Sequence, residues 1–232
     1  MTAPAPDDDA LVATRRTLHG IAEHVLAAYE RSVSGTIRLT ATDAGLRTQL
    51  VAADPAMLEL RAEGGAAVLV RHPDGRRVLV EGRLGDLAER LGVGFGLTDP
   101  PYPPASGCDA DSVAVVDVAA LDLLARAWWD GDTALRLFAG THADLSGDAL
   151  AVEPVVWPEH LDVALALDAV NYGVSPGDAY LAEPYAYVGP HRPRTGPFWQ
   201  APFGAAEPLS RLPDAASVLG FFERGRAFAA DS

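Results

Sequence analysis

Between residues 157 and 199 the chain gathers side chains that can do chemistry, at spacings that could bring them together. His160 and Asp162 are two apart in "WPEHLDVALAL". On an extended strand such positions share a face, so an imidazole and a carboxylate would stand side by side. That couple can act as a base with its orienting carboxylate, or supply two metal ligands. Asn171 and Asp178, in "NYGVSPGD", complete the candidate catalytic set. If a metal is held, His160 and Asp162 are its expected ligands; no cofactor is indicated. Trp157, Tyr172, Tyr185, Tyr187, His191 and Trp199 are the candidate ligand-binding residues, since rings with one wet atom bury large area at low entropic cost and still hydrogen-bond. Ser175 precedes a proline in a turn and does not occupy a strand-to-helix elbow, which argues against a nucleophilic triad with His160 and Asp162.

These residues need elements to position them. A strand starting at His160 would turn Leu161, Val163, Leu165 and Leu167 toward a core, leaving His160, Asp162, Ala164 and Ala166 on the opposite face. Residues 171 to 178 read as the loop to the next strand, near 180 to 188, with Ser175-Pro176-Gly177-Asp178 as a type II turn. A further strand is expected near 151 to 156, and the Pro-rich aromatic segment 184 to 204 leads toward a last helix capped by Asp214 that buries Val218, Leu219, Phe222 and Phe228.

Upstream, Leu11, Leu18, Ile21, Ala22, Val25, Leu26 and Tyr29 recur at helical spacing, giving an amphipathic helix over about 9 to 32 with Arg15, Arg16, Glu23 and Glu30 on its polar face. Residues 33 to 41 switch to period two, and "LRTQLV" and "MLELRAE" read as strands. "AAVLVRHPDGRRVLVEG" is a hairpin turning at His72-Pro73-Asp74-Gly75. Asp117 can cap a helix through Trp128 that Gly131 interrupts, and Asp132 can cap a second piece. The pattern specifies one α+β domain over 10–232, a mostly antiparallel sheet with N-terminal, central and C-terminal helices, and a possible sub-boundary near 98–110. Residues 1–9 read as a disordered acidic tail.

The 232 residues carry 32 carboxylates against 18 arginines and no lysine, a formal charge of −14. That field repels phosphate backbones and anionic lipid, so neither nucleic acid nor a membrane surface is an expected partner. A lysine Schiff base is excluded outright. The single cysteine, Cys108, has Asp109 and Asp111 beside it, which disfavour a reactive thiolate. One cysteine and no apolar leader point to cytoplasmic residence. "LGVGFG" at 91 to 96 places its glycines after a helix and not after a strand, the order of a C-terminal cap and the reverse of a dinucleotide loop. In "HGIAEH", His19 and His24 are five apart and diverge on an α-helix, whereas His19 and Glu23 have i,i+4 spacing.

"WPEHLD", "NYGVSPGD", "PYAYVGP" and "FWQAPFGA", together with the early "SGTIRLTATDAGLRT", resemble segments of an actinobacterial protein family of about this length. The resemblance covers most of the chain and implies no activity, cofactor or site. The residues are compatible with three functions: a small-molecule-binding protein with its pocket in the 157–203 region; a hydrolase or isomerase, with or without a metal, using His160 and Asp162; or an interaction module presenting the 184–204 aromatics to a partner protein or a second copy.

Overall fold

The computed structural model describes residues 6–50, 56–142 and 152–230. It has the expected α+β architecture, antiparallel with helices at the N-terminus, centre and C-terminus, but its strands form two five-stranded sheets where the sequence pattern specifies one. The chain divides into two compact units, Met1–Arg126 with Val156–Leu161, and Ala127–Val155 with Asp162–Ser232. Among the described residues no helix is long and apolar enough to cross a membrane.

In the first unit, α1 (Asp8–Ile21), a π-helical turn (Ala22–Leu26) and α2 (Ala27–Ser34) run on as one continuous stretch. Asp7 accepts the Ala10 N–H at 2.7 Å and caps α1, so the helix begins inside the expected acidic tail; residues 1–5 lie outside the described residues. Leu18, Ile21, Val25, Leu26 and Tyr29 are buried, as their spacing predicts. Glu23 and Glu30 are not on a solvated face: they are 1% and 0% exposed. The π turn, in which the Ala27 N–H reaches back to the Ala22 carbonyl, adds a residue to the helical register and rotates the turns beyond it. Glu30 is satisfied there by the Ser34 hydroxyl (2.5 Å) and the Gln49 N–H (2.8 Å).

The strand expected over 33–41 is short. The helix continues to Ser34, Gly35 caps it at φ 77°, and β1 is only Thr40–Thr42. From there β2 (Gly45–Arg47), β3 (Met57–Glu63), β4 (Ala66–His72) and β5 (Arg76–Leu79) form a meander in sequence order. Val51, the end of the expected "LRTQLV" strand, is outside the described residues. The β4–β5 hairpin turns where expected, with Gly75 at φ 70°. Helix α3 (Leu84–Leu91) ends in Gly92 at φ 76°, whose N–H donates to the Glu89 carbonyl while that of Val93 donates to Ala88. "LGVGFG" is therefore a helix cap.

Helix α4 (Val118–His142) begins as expected, the Asp117 carboxylate accepting the Ala120 N–H at 2.9 Å, but Gly131 does not interrupt it. A Cβ at Gly131 would lie 2.8 Å from both Val163 Cγ1 and Val174 Cγ2, so the glycine lets the helix approach the second sheet. Asp132 caps nothing; it pairs with Arg136 one turn on, Nε to Oδ2 2.7 Å.

The second sheet runs β10-β9-β8-β7-β6: β6 (Val155–Trp157), β7 (Asp162–Leu167), β8 (Val170–Ser175), β9 (Tyr185–Pro190) and β10 (Ala205–Pro208). Its registers align Val163 with Val174 and Val174 with Ala186, and Leu165 with Tyr172 and Tyr172 with Val188. These residues face α4 and α5 (Ala215–Ala230), where Tyr172, Phe138 and Phe222 pack ring on ring at 4.5 and 5.9 Å centroid distances. Each such buried side chain contributes roughly 1.5–3 kcal/mol. Asp214 caps α5 by accepting the Ser217 N–H at 2.8 Å. Of the four residues expected to be buried on α5, Val218 and Phe222 are; Phe228 is 48% exposed and Leu219 is intermediate.

Candidate functional site

The structure separates His160 from the strand on which the imidazole and carboxylate would stand parallel. Residues 157 to 161 form a turn in which the N–H groups of His160 and Leu161 both donate to the Trp157 carbonyl, at 3.2 and 2.7 Å. Leu161 closes it in the left-handed region at φ 57°. The extended backbone starts only at Asp162, leaving His160 exposed on the turn and Asp162 buried at 7% exposure. From Asp162 onward Val163 and Leu165 lie on the helix-covered side, but Asp162 and Ala164 on the opposite face are buried as well, where the sequence pattern leaves that face open. Trp157 lies under the Arg38 guanidinium, 5.9 Å from its ring centroid.

The segment expected as a loop, 171 to 178, is mostly strand. Asp168 and Ala169, at φ 53° and 60°, make a two-residue hairpin turn, and β8 carries Asn171 through Ser175. The connection starts at Pro176, with Gly177 at φ 97° as the turn pattern requires. On the sheet face away from the helices, the sequence candidates come together in pairs. Tyr187 on β9 lies over Gly173 and its hydroxyl donates to Asp162 Oδ2 on β7. Tyr185 donates to Asp178 Oδ2 at 2.7 Å, and Asp178 Oδ1 accepts the Tyr180 and Leu181 N–H groups. Burial first, then the charge of Asp162 and the hydrogen bond to it, hold the Tyr187 hydroxyl well above its ordinary pKa. Burial and the bond to Asp178 raise that of Tyr185 as well. Both phenols are therefore fixed donors to carboxylates. This face is closed by its own hydrogen bonds, with Phe203 packed near Tyr180, Tyr185 and Tyr187.

Trp199 packs edge-on against Phe198 at 4.9 Å, and Phe198 against Phe221 and Phe228 of α5 at 5.6 and 4.9 Å. These rings pin the irregular 191–204 segment to the last helix.

His191 bonds Asn171, Nε2 to Oδ1 3.1 Å, and with Tyr172 opens onto a cavity of about 390 Å³ at the turn end of the sheet. Three arginines that their sequence context does not single out, Arg192, Arg194 and Arg226, line the same cavity together with Asp168. Arg226 Nη2 donates to Asp168 Oδ2 at 2.9 Å, and Arg194 Nη2 to the Ala229 carbonyl at 3.0 Å. The Nε–H groups of Arg194 and Arg226 are buried without an acceptor among the described residues. The Tyr172 hydroxyl, pushed up to about 12 by burial despite the Arg226 charge, stays a neutral donor. Chemically the cavity offers cationic forks suited to oxyanions beside apolar surface from Ala169, Val170, Pro190, Ala229 and Ala230.

The first unit holds a second polar cluster, around the π turn. Glu23 accepts the N–H groups of Ala105 (2.9 Å) and Ser106 (3.1 Å) and the Ser106 hydroxyl (2.5 Å). Burial alone would raise its pKa; those hydrogen bonds and the adjacent His24 outweigh it and hold the carboxyl below its usual range. His19 donates from Nε2 to the Pro158 carbonyl at 2.8 Å, and burial, only partly offset by Glu23, lowers its pKa. At neutral pH it is therefore uncharged, with the proton on Nε2. Glu159 Oε2 is buried with no hydrogen-bond partner among the described residues. The cluster ties the 105–108 loop to the helix. A second cavity, about 360 Å³, opens beside the Gly92–Gly96 stretch and offers one cation, Arg31.

Among the described residues no group of three or more His, Cys, Asp or Glu side chains is placed to hold a metal ion. Compared with known protein families, with curated proteins and with solved structures, the chain matches no family model, no curated protein and no solved structure.

Proposed function

We propose that the protein binds a small anionic molecule in the cavity of its second unit, formed by the β7–β8 turn, residues 190–194 and the end of α5. The observation that carries this reading is the gathering of three arginines on one cavity of about 390 Å³ in a chain of net charge −14. Here Asp168 engages Arg226, while Arg192 has no hydrogen-bond or ion-pair partner among the described residues. The volume is that of a small-molecule site. Tyr172 and His191, two of the residues singled out by their types, lie on the wall, and the Tyr172 hydroxyl can donate to an oxyanion. The His191 Nε2–H is already given to Asn171 Oδ1, which fixes the ring on the wall.

The test is isothermal titration of the full chain with inorganic phosphate, citrate and benzoate at low ionic strength. At least one should bind saturably, and Arg192→Gln and Arg226→Gln should each weaken that binding tenfold or more. Circular dichroism spectra matching the parent's check that the variants are folded. Absence of binding by all three anions, or binding indifferent to both substitutions, overturns the proposal.

A further inference from the structure

Resting on that reading, we infer that the ligand carries two negative charges at one end of an apolar body, as a phosphomonoester or a vicinal dicarboxylate does. Charge is the first reason. Three guanidiniums against the single carboxylate of Asp168 leave two positive charges on the wall. Glu223, the other carboxylate acting on Tyr172, is already bonded by His142 at 2.8 Å and is not on the wall. A monoanion would leave one guanidinium uncompensated in a partly enclosed cavity, whereas a dianion neutralises it.

Donor geometry is the second reason. Arg194 and Arg226 each commit one Nη2 to the protein, and their buried Nε–H groups have no acceptor among the described residues. A buried donor left unpaired costs about 1–3 kcal/mol. A small rotation of each fork toward an oxyanion removes that cost. A carboxylate has two oxygens to offer to three forks and the Tyr172 hydroxyl; a phosphoryl group or a pair of carboxylates has three or four.

Space is the third. At roughly 30 Å³ per water, about 390 Å³ far exceeds one inorganic ion. The remainder is faced by Ala169, Val170, Pro190, Ala229 and Ala230, which reward burial of hydrocarbon and offer no charge. The site is thus built for a head and a body.

Titration calorimetry with four probes separates the possibilities: phenyl phosphate, phthalate, benzoate and inorganic phosphate, at pH 8 where phenyl phosphate is a dianion. Phenyl phosphate or phthalate, whichever matches the head, should bind at least tenfold tighter than both benzoate, which has the body and one charge, and inorganic phosphate, which has the charge and no body. The better of the two identifies the head group. Arg226→Gln should bring the preferred dianion to within about threefold of benzoate, and Arg192→Gln, at an exposed side chain, provides the same readout if the first variant fails to fold. Benzoate binding as tightly as both dianions overturns this inference and leaves the anion site standing. Inorganic phosphate equalling the aromatic dianions overturns the apolar body. Failure of all four probes overturns the anion site itself.

Discussion

A single methyl group tests how the polar face of the second sheet is built. Gly173 lies mid-strand in β8 opposite Tyr187, with no positive φ to demand glycine. On backbone grounds alone Gly173→Ala should stabilise the protein by about 0.5–1 kcal/mol. A Cβ there, however, would come within 2.6 Å of Tyr187 Cζ and Oη and 2.7 Å of Cε1. The ring cannot yield freely, because its hydroxyl is bonded to Asp162 on the far side of the glycine. Overpacking of this kind costs about 1–3 kcal/mol, and loss of a hydrogen bond to a carboxylate about 1.5–3 kcal/mol. Set against the backbone gain, Gly173→Ala should destabilise by about 2–5 kcal/mol. Urea denaturation followed by tryptophan fluorescence measures it, and the double-mutant cycle with Tyr187→Ala isolates the cause. Without the ring, alanine at 173 should be neutral or stabilising. A penalty that survives unchanged in the Tyr187→Ala background, or an outright gain from Gly173→Ala alone, refutes the account of why glycine stands there.

Two further perturbations probe the backbone and the buried carboxylate. Ala169 sits at φ 60° in the β7–β8 turn, where an L side chain costs about 1–2 kcal/mol; Ala169→Gly should raise stability by about 0.5–1 kcal/mol in thermal unfolding, after the entropy of a freer unfolded chain is subtracted. An unchanged or lowered midpoint would contradict the strain. Glu23 has its folded pKa below the unfolded value, so its contribution is present in full above the unfolded carboxylate range and is lost as pH falls through the folded pKa. Glu23→Gln should cost about 1.5–3 kcal/mol at pH 7 by weakening charge-assisted bonds. It should also flatten the acid limb of the stability–pH curve below about pH 4.5, and parallel acid limbs for variant and parent would show that the carboxylate is not linked to folding.

What the sequence made legible was local. Asp117 and Asp214 announce helix starts because a short acceptor before an apolar run has one economical use, and Gly92 announces an end for the reason that left-handed caps favour glycine. The 66–79 hairpin is read from its own turn residues. Where the pattern misleads, the causes are long-range or conformationally rare. Gly131 and Gly173 look like punctuation, yet each is a point where another element comes too close for a Cβ: Val163 and Val174 in one case, Tyr187 in the other. Leu161 takes a left-handed conformation that aliphatic residues rarely adopt, so nothing in "HLD" betrays that His160 and Asp162 do not share a strand. The two-residue turn at Asp168-Ala169 lacks the glycine that would mark it, which is why β8 reads as a loop in the sequence. Glu23 and Glu30 fit a solvated stripe, yet the 105–106 loop covers Glu23, and Glu30 lies beyond a π turn, invisible in periodicity, that shifts the helical register.

The proposed anion site was half legible, and the missing half is instructive. Tyr172 and His191 stand out by type, but Arg192 and Arg194 in "HRPR" and Arg226 on the last helix look like ordinary solvated charges. Their significance depends on being brought to one cavity, and on where the acidic residues are not. At physiological ionic strength charges are screened beyond about 8 Å, so the −14 total says little about a wall where three guanidiniums face one carboxylate. Net charge governs which macromolecules approach over long distances. A small ligand inside a partly enclosed cavity responds to the few groups it touches. An acidic protein can thus repel nucleic acid and still hold a small anion, and the two statements rest on different length scales of the same electrostatics.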